Sequence, residues 1–210
     1  MLDRRRADRV VDVASVVLIS VAAVLTAVCG YESGRWRGQQ ARYYNVADTN
    51  RVLSAEAADR AVGINAINTN MFLQYVNAVD AADTRKATFI YRRFGPVMHS
   101  AMKAWLATKP MTNPSAPSSP FAMPQYVLPA AKESHRFRAL AIENFNKAQL
   151  ATRHADDFLL LTIVFAGVSF LGGISTKMVF PQHLIIVLLG CVGIAYGLIR
   201  LVELPFLGTS

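Results

Sequence analysis

The sequence predicts an all-α integral membrane protein with three transmembrane helices and an extramembrane three-helix bundle between spans one and two. Three observations predict it. The stretches Val13–Tyr31, Phe158–Thr176 and Met178–Ile199 carry no charged residue, and each is long enough for a helix to cross roughly 30 Å of hydrocarbon. Between the first two, apolar residues step by threes and fours, the period of helices with one buried face. The chain is also 53% hydrophobic and only 17% charged, too apolar for a soluble protein of its size.

The elements follow in order. Residues 1–12 form a basic tail holding Arg4, Arg5, Arg6 and Arg9, and residues 13–31 form the first span. That apolar run is longer than a signal peptide's, no small-x-small cleavage site follows it, and Val28 before Cys29 does not suit a lipid-attachment signal. An uncleaved anchor is expected. Residues 32–156 form the extramembrane domain. Its first helix covers about 39–79, with Leu53, Ala57, Ala61, Ile64, Ile67, Met71, Tyr75 and Ala78 on one stripe. Gly34 and Gly38 weaken its join to the first span. Asp80–Thr84 reads as a turn with helix-starting residues. A second helix covers about 84–108, with Phe89, Met98, Met102 and Trp105 as core contacts, and Gly95-Pro96 should kink or split it.

A third helix, about 130–156, carries Phe137, Ala141, Phe145, Ala148, Ala151 and Ala155 on its stripe and runs without a breaker into the second span, 157–176. A short turn at 177–183, the third span at 184–202 and a tail at 203–210 complete the chain. The connection 109–129 holds Pro114, Pro117 and Pro120 at every third residue. If the second helix returns toward the membrane, this strap must climb outward again, and an extended polyproline form could do so. Its apolar end, Pro120, Phe121, Met123, Pro124 and Tyr126, is expected to hold the strap on the bundle and is the candidate interaction surface. A proline ladder can also be a docking peptide, but Ser115–Ser119 has no basic flank.

Other residue groups invite a function and a plainer explanation side by side. Gly167, Gly172 and Gly173 in span two, and Gly190, Gly193 and Gly197 in span three, allow close helix approach. Hairpin packing within the chain explains one such face; two suggest self-association or a partner. His154 and Asp157 share a helical face at the mouth of span two, as either an interfacial pair or solvated groups. Two ligands do not make a metal site. Arg200 and Glu203, three apart, can pair or line an ion path. Asn65, Asn68, Asn70 and Asn77 lie along the long helix, where buried polar groups fix register. Cys29 and Cys191 fall inside spans, so no disulfide framework is expected. The net charge of +8 is dispersed along helical faces, which suits solvated surfaces near anionic headgroups better than nucleic acid. No P-loop, dinucleotide fingerprint, Ser-His-Asp arrangement or Cys-x-x-Cys is read from the sequence, and no enzyme, metal or cofactor is expected.

Several of these residues recur together in a known pattern. They are Tyr43-Tyr44, Trp105 before Pro110, Asn113-Pro114, Pro120-Phe121-x-Met123-Pro124-x-Tyr126, an Asp at the mouth of span two (Asp156 or Asp157) and Phe170-Leu171-x-Gly173-Ile174. The arrangement resembles an uncharacterised family of small bacterial inner-membrane proteins with one span, a helical region and two further spans. The resemblance covers most of 40–175 and implies an organisation, not an activity. Up to span two the architecture is also similar to receptors with a four-helix sensory bundle, but no signalling helix follows. The expectation is a non-enzymatic protein of the bacterial inner membrane, partnered by the lipid bilayer. It would self-associate or serve as an accessory subunit of another membrane protein. A membrane-anchored sensor or ligand-binding bundle is the alternative, and a small channel or transporter a further one. The basic tail places the N-terminus in the cytoplasm and the helical domain outside, against the counter-signal of Arg35, Arg37 and Arg42.

Overall fold

The computed structural model describes residues 2–175 and 182–207, with side chains from residue 11 onward. The expected turn at 177–183 falls largely within 176–181, and the tail of 203–210 ends in 208–210, both outside the described residues. So do the arginine side chains of the basic tail. Among the described residues five α-helices follow one another: α1 (Leu2–Asp80), α2 (Thr84–Tyr91), α3 (Pro96–Ala107), α4 (Pro129–Ser175) and α5 (Gln182–Glu203). A 3-10 turn occupies Pro120–Ala122, and no strand occurs among the described residues. Three of the helices, α1, α4 and α5, are long and apolar enough to cross a membrane, as a multi-pass membrane protein requires.

Gly34 and Gly38 do not interrupt α1. Each costs about 1 kcal/mol against alanine, too little to end a helix whose neighbouring residues propagate it. Gly95-Pro96 does divide the second helix. Proline takes the first position of α3, where its missing N–H would have had no partner anyway. Asp83 caps α2 by accepting from the Lys86 N–H at 2.9 Å.

The chain forms two compact units. One joins Met1–Asn45 with Asn144–Ser210; the other is Val46–Glu143. Residues 32–45 and 144–156 therefore pack with the spans instead of with the domain assigned to 32–156. Ser33 Oγ donates to the Ala155 carbonyl at 2.8 Å, Trp36 packs on His154, and Tyr44 meets Phe145 edge-on. The apolar centre of this first unit holds Cys29, Phe158, Leu161, Phe165 and Leu201.

In the second unit, the start of α4 lies beside the 54–60 stretch of α1. Ser54 Oγ donates to the Ser134 carbonyl at 3.0 Å, and Arg60 pairs with Glu133 at 2.9 Å. Beyond that level α1 is covered by α2, α3 and the connection. Ile90, Phe94, Met98, Met102 and Trp105 bury against Met71, Phe72 and Tyr75. Three positions differ from the expected core contacts, Ile64 among them at 41% exposed. Ile67 is 61% exposed while Asn68 is 7% exposed. Phe89 is 55% exposed, its ring covered by the Arg93 guanidinium at 3.5 Å, and Ile90 takes its place in the core.

Candidate functional site

The connection from Lys109 to Leu128 is a succession of turns, not the expected extended climb. Asn113 N–H donates to Lys109 O at 2.9 Å, Ala116 N–H to Asn113 O at 3.1 Å, and Tyr126 N–H to Met123 O at 2.9 Å. The physical reason is the shortness of α2 and α3. They cap the end of α1 and do not run back along its length, and α4 begins at the 54–60 level, so no long distance has to be spanned.

The apolar knot is spent on that cap. Phe121 meets Phe72 and Tyr126 edge-on, and Phe121, Met123 and Tyr126 all pack on the α3 core. Pro120 is fully buried, whereas Pro124 is exposed. Trp105 Nε1 donates to the Pro117 carbonyl at 2.7 Å. Tyr126 Oη accepts from Asn68 Nδ2 at 3.1 Å and donates to Asn65 Oδ1 at 2.9 Å. Two of the α1 asparagines thus fix the loop's register through one hydroxyl.

Next to this cap the second unit is open. A cavity of about 400 Å³ is lined by Tyr75, Val79, Trp105, Leu106 and Met111, with Asn77 and Asp80 as polar side chains in its wall. A second, of about 380 Å³, shares Tyr75, Val79 and Leu106 and extends to Thr84, Thr88 and Tyr91. Volumes of this order suit small ligands, and an apolar lining with a few hydroxyls is the usual composition of their sites. In the walls, Tyr75 and Tyr91 meet each other and Phe94 at tilted and edge-on angles, ring centroids 6.2–6.3 Å apart. Burial, and then the neighbouring Tyr91, raise the Tyr75 phenol above its ordinary value of 10.0. Sequence reading missed this groove because its walls come from the end of α1, from α2 and from α3. The exposure of Val79 and Met111 becomes visible only when those elements are placed.

In the first unit the glycines divide. A methyl group at Gly172 would meet Ile19 Cγ1 at 2.6 Å, at Gly190 Leu18 Cδ1 at 2.9 Å, and at Gly193 Val168 Cγ2 at 2.7 Å; at Gly197 it would strike the Phe165 ring. These four serve contacts among α1, α4 and α5 within the chain. At Gly167 and Gly173 an added methyl would meet nothing.

Arg200 and Glu203 pair at 2.8 Å in exposed positions. His154 lies against Trp36, ring centroids 4.7 Å apart. Its Nδ1 is buried without a hydrogen-bond partner, so Asp157 does not hold that nitrogen. Two polar groups escaped the sequence reading. Glu32, 5% exposed, accepts from Arg35 Nη1 at 2.9 Å and from the Leu207 N–H at 3.2 Å. Together with Trp36 Nε1, which donates to Pro205 O at 3.1 Å, it ties residues 205–207 down. Ser15, Ser175 and His183 are all buried.

Ser15 Oγ donates to Val11 O at 2.9 Å and lies 3.0 Å from His183 Nε2, and Asp12 Oδ1 stands 3.9 Å from His183 Nδ1. A Ser-His-Asp series therefore exists in space although 168 residues separate Ser15 from His183. Its serine is fully buried and its proton is committed to a helix carbonyl, which suits a packing knot and not a nucleophile. No group of three or more potential metal ligands occurs among the described residues. No family model, no curated protein and no solved structure matches the chain.

Proposed function

We propose that the chain is a non-enzymatic membrane protein whose second unit is a ligand-binding module, the role of a membrane-anchored sensor or accessory subunit. One observation carries this reading: the two adjoining cavities of about 400 and 380 Å³, which share Tyr75, Val79 and Leu106 and are mainly apolar with a few polar groups, beside an otherwise well-packed cap. The apolar knot at Phe121, Met123 and Tyr126 favours this over a docking peptide, because its side chains are used internally. The bacterial inner membrane, with a cytoplasmic N-terminus and the second unit outside, fits the basic tail. Labelling of a cysteine introduced at exposed Ser118 by a membrane-impermeant reagent on intact cells tests that sidedness. The test of binding is Trp105 fluorescence in nanodiscs with an environment-sensitive apolar dye. The dye should bind the wild-type protein, and Leu106→Trp, which fills the groove, should abolish binding. Equal dye binding by both proteins would refute the reading.

Self-association is the second reading. Gly30, Gly34 and Gly38 lie four apart on α1, exposed, with open space where a methyl group would stand, the spacing that lets helices approach closely in lipid. Gly34→Leu should then convert a discrete oligomer in mild detergent to a monomer. A wild-type protein already monomeric at all concentrations would remove this reading.

A further inference from the structure

The groove does not end at Thr84 and Thr88. A third, open depression of about 530 Å³ on the surface of residues 84–93 shares these two threonines with the second and is bordered by Arg85, Phe89, Arg92 and Arg93. The three thus adjoin through shared lining residues, mainly apolar at the Trp105–Met111 end, where Asp80 also enters the wall, and cationic at the α2 end. The charge at that end is uncompensated. Between Asp83 and Glu133 the sequence has seven Lys/Arg and no acidic residue. Asp83 itself is engaged as the α2 cap. Among the described residues, Arg85, Arg92 and Arg93 make no ion pair. Arg93 is held in place: its guanidinium stacks on Phe89 at 3.5 Å, and Nη1 reaches the Phe89 carbonyl at 3.5 Å. Arg85, Phe89 and Arg92 stand at i, i+4 and i+7 and share one helical face.

We infer that these adjoining cavities bind a single-chain anionic amphiphile, its acyl or alkyl tail along Tyr75, Val79 and Leu106 and its carboxylate or phosphate head among Arg85, Arg92 and Arg93. The inference rests on the proposed ligand-binding role and adds the chemistry of the ligand. Guanidinium groups present several N–H donors in a planar fork that matches carboxylate and phosphate oxygens. The apolar stretch alone would accept any hydrophobic molecule; only the arginines select a charge sign. Thr84 and Thr88, at the junction, face the point where tail gives way to head.

The test uses the full chain in nanodiscs of zwitterionic lipid and reads Trp105 fluorescence in a Trp36→Phe background. Dodecanoate, dodecyl phosphate, dodecanol, dodecyltrimethylammonium and inorganic phosphate are titrated in turn. Dodecanoate and dodecyl phosphate should bind at least about tenfold tighter than dodecanol, and the ammonium weakest. Each methylene removed from the tail should weaken binding about fourfold, the factor equivalent to ~0.8 kcal/mol. Arg85→Gln with Arg92→Gln, both at exposed positions, should bring dodecanoate and dodecyl phosphate down to the affinity of dodecanol. If dodecanol and the ammonium bind as well as dodecanoate, the anionic head is refuted while the groove stands. If inorganic phosphate binds as tightly as dodecyl phosphate, the site is an anion site and the amphiphile is refuted. If none of the chains binds, and the apolar dye also fails, the ligand-binding role itself falls.

Discussion

Tyr126→Phe deletes one oxygen and, with it, the bridge between the 109–128 loop and α1. The wild-type hydroxyl serves Asn68 and Asn65 at 3.1 and 2.9 Å. The two bonds differ in what their loss leaves behind. Asn65 is exposed, so water replaces its partner. Asn68 is 7% exposed, so its amide donor is left in the core, at a cost of about 1–3 kcal/mol for an unsatisfied group. Adding a few tenths for Asn65, the loop should loosen by about 1.5–3 kcal/mol. At 1.4 kcal/mol per factor of ten, amides that exchange through local opening should speed up roughly 10- to 150-fold. Those to watch are Ala122, Met123 and Tyr126, which donate to Ser119, Pro120 and Met123. Hydrogen exchange on peptides spanning 117–128 measures this directly. Replacing both partners, Asn68→Leu with Tyr126→Phe, removes the orphaned donor, and exchange should return to within a few-fold of wild type. Unchanged exchange in Tyr126→Phe would refute the reasoning; a double variant as labile as the single would refute the orphaned-amide cause.

Gly197→Ala should lower the apparent melting temperature in detergent by the equivalent of about 1–3 kcal/mol, since the methyl group is driven into Phe165. Gly167→Ala, where the space is open, should leave it unchanged. Glu32→Ala removes the acceptor of the Leu207 N–H, so carboxypeptidase should trim residues 205–207 markedly faster than in the wild type. Tyr75 should titrate above 10.0 by ultraviolet absorbance, and Tyr91→Phe should bring it down only part of the way, because burial is the larger cause. With a folded value raised above the unfolded one, its contribution to stability is complete below pH 10 and is lost as the pH rises from there through the folded value.

The legible parts of this fold were those set by local chemistry. Uncharged runs mark the spans, Asp83-Thr84 starts α2, and Gly95-Pro96 ends one helix and begins another. What the sequence could not reveal was set by which elements meet. The stripe through Ile64 and Ile67 follows helical period, yet the core selects Asn68 because Tyr126, 58 residues away, arrives with a hydroxyl. The expected climb of the proline-rich segment followed from one assumption, that the second helix runs the length of the first. Once it is two short helices capping α1, Pro114 and Pro120 become corners of separate turns. His183 and Ser15 stood alone in the sequence because nothing local brings α5 back to α1.

The division between internal and external use of residues bears most on function. Lipid tails are as apolar as the side chains they would exclude, so helices in a bilayer gain little from hydrophobicity and depend on close approach and on buried polar contacts. Gly172, Gly190, Gly193 and Gly197 supply the first of these, and Ser15, Ser175 and His183 the second. The membrane unit therefore uses these seven residues in its own packing. In the second unit the aromatic and proline residues are likewise consumed by the cap over α1. What remains unexplained by packing is a groove with exposed apolar walls and three arginines that make no ion pair among the described residues. Exposed apolar surface and unpaired charge both oppose compactness and gain nothing for the fold. Their coincidence in adjoining pockets is the feature for which a ligand, and not stability, gives the physical reason.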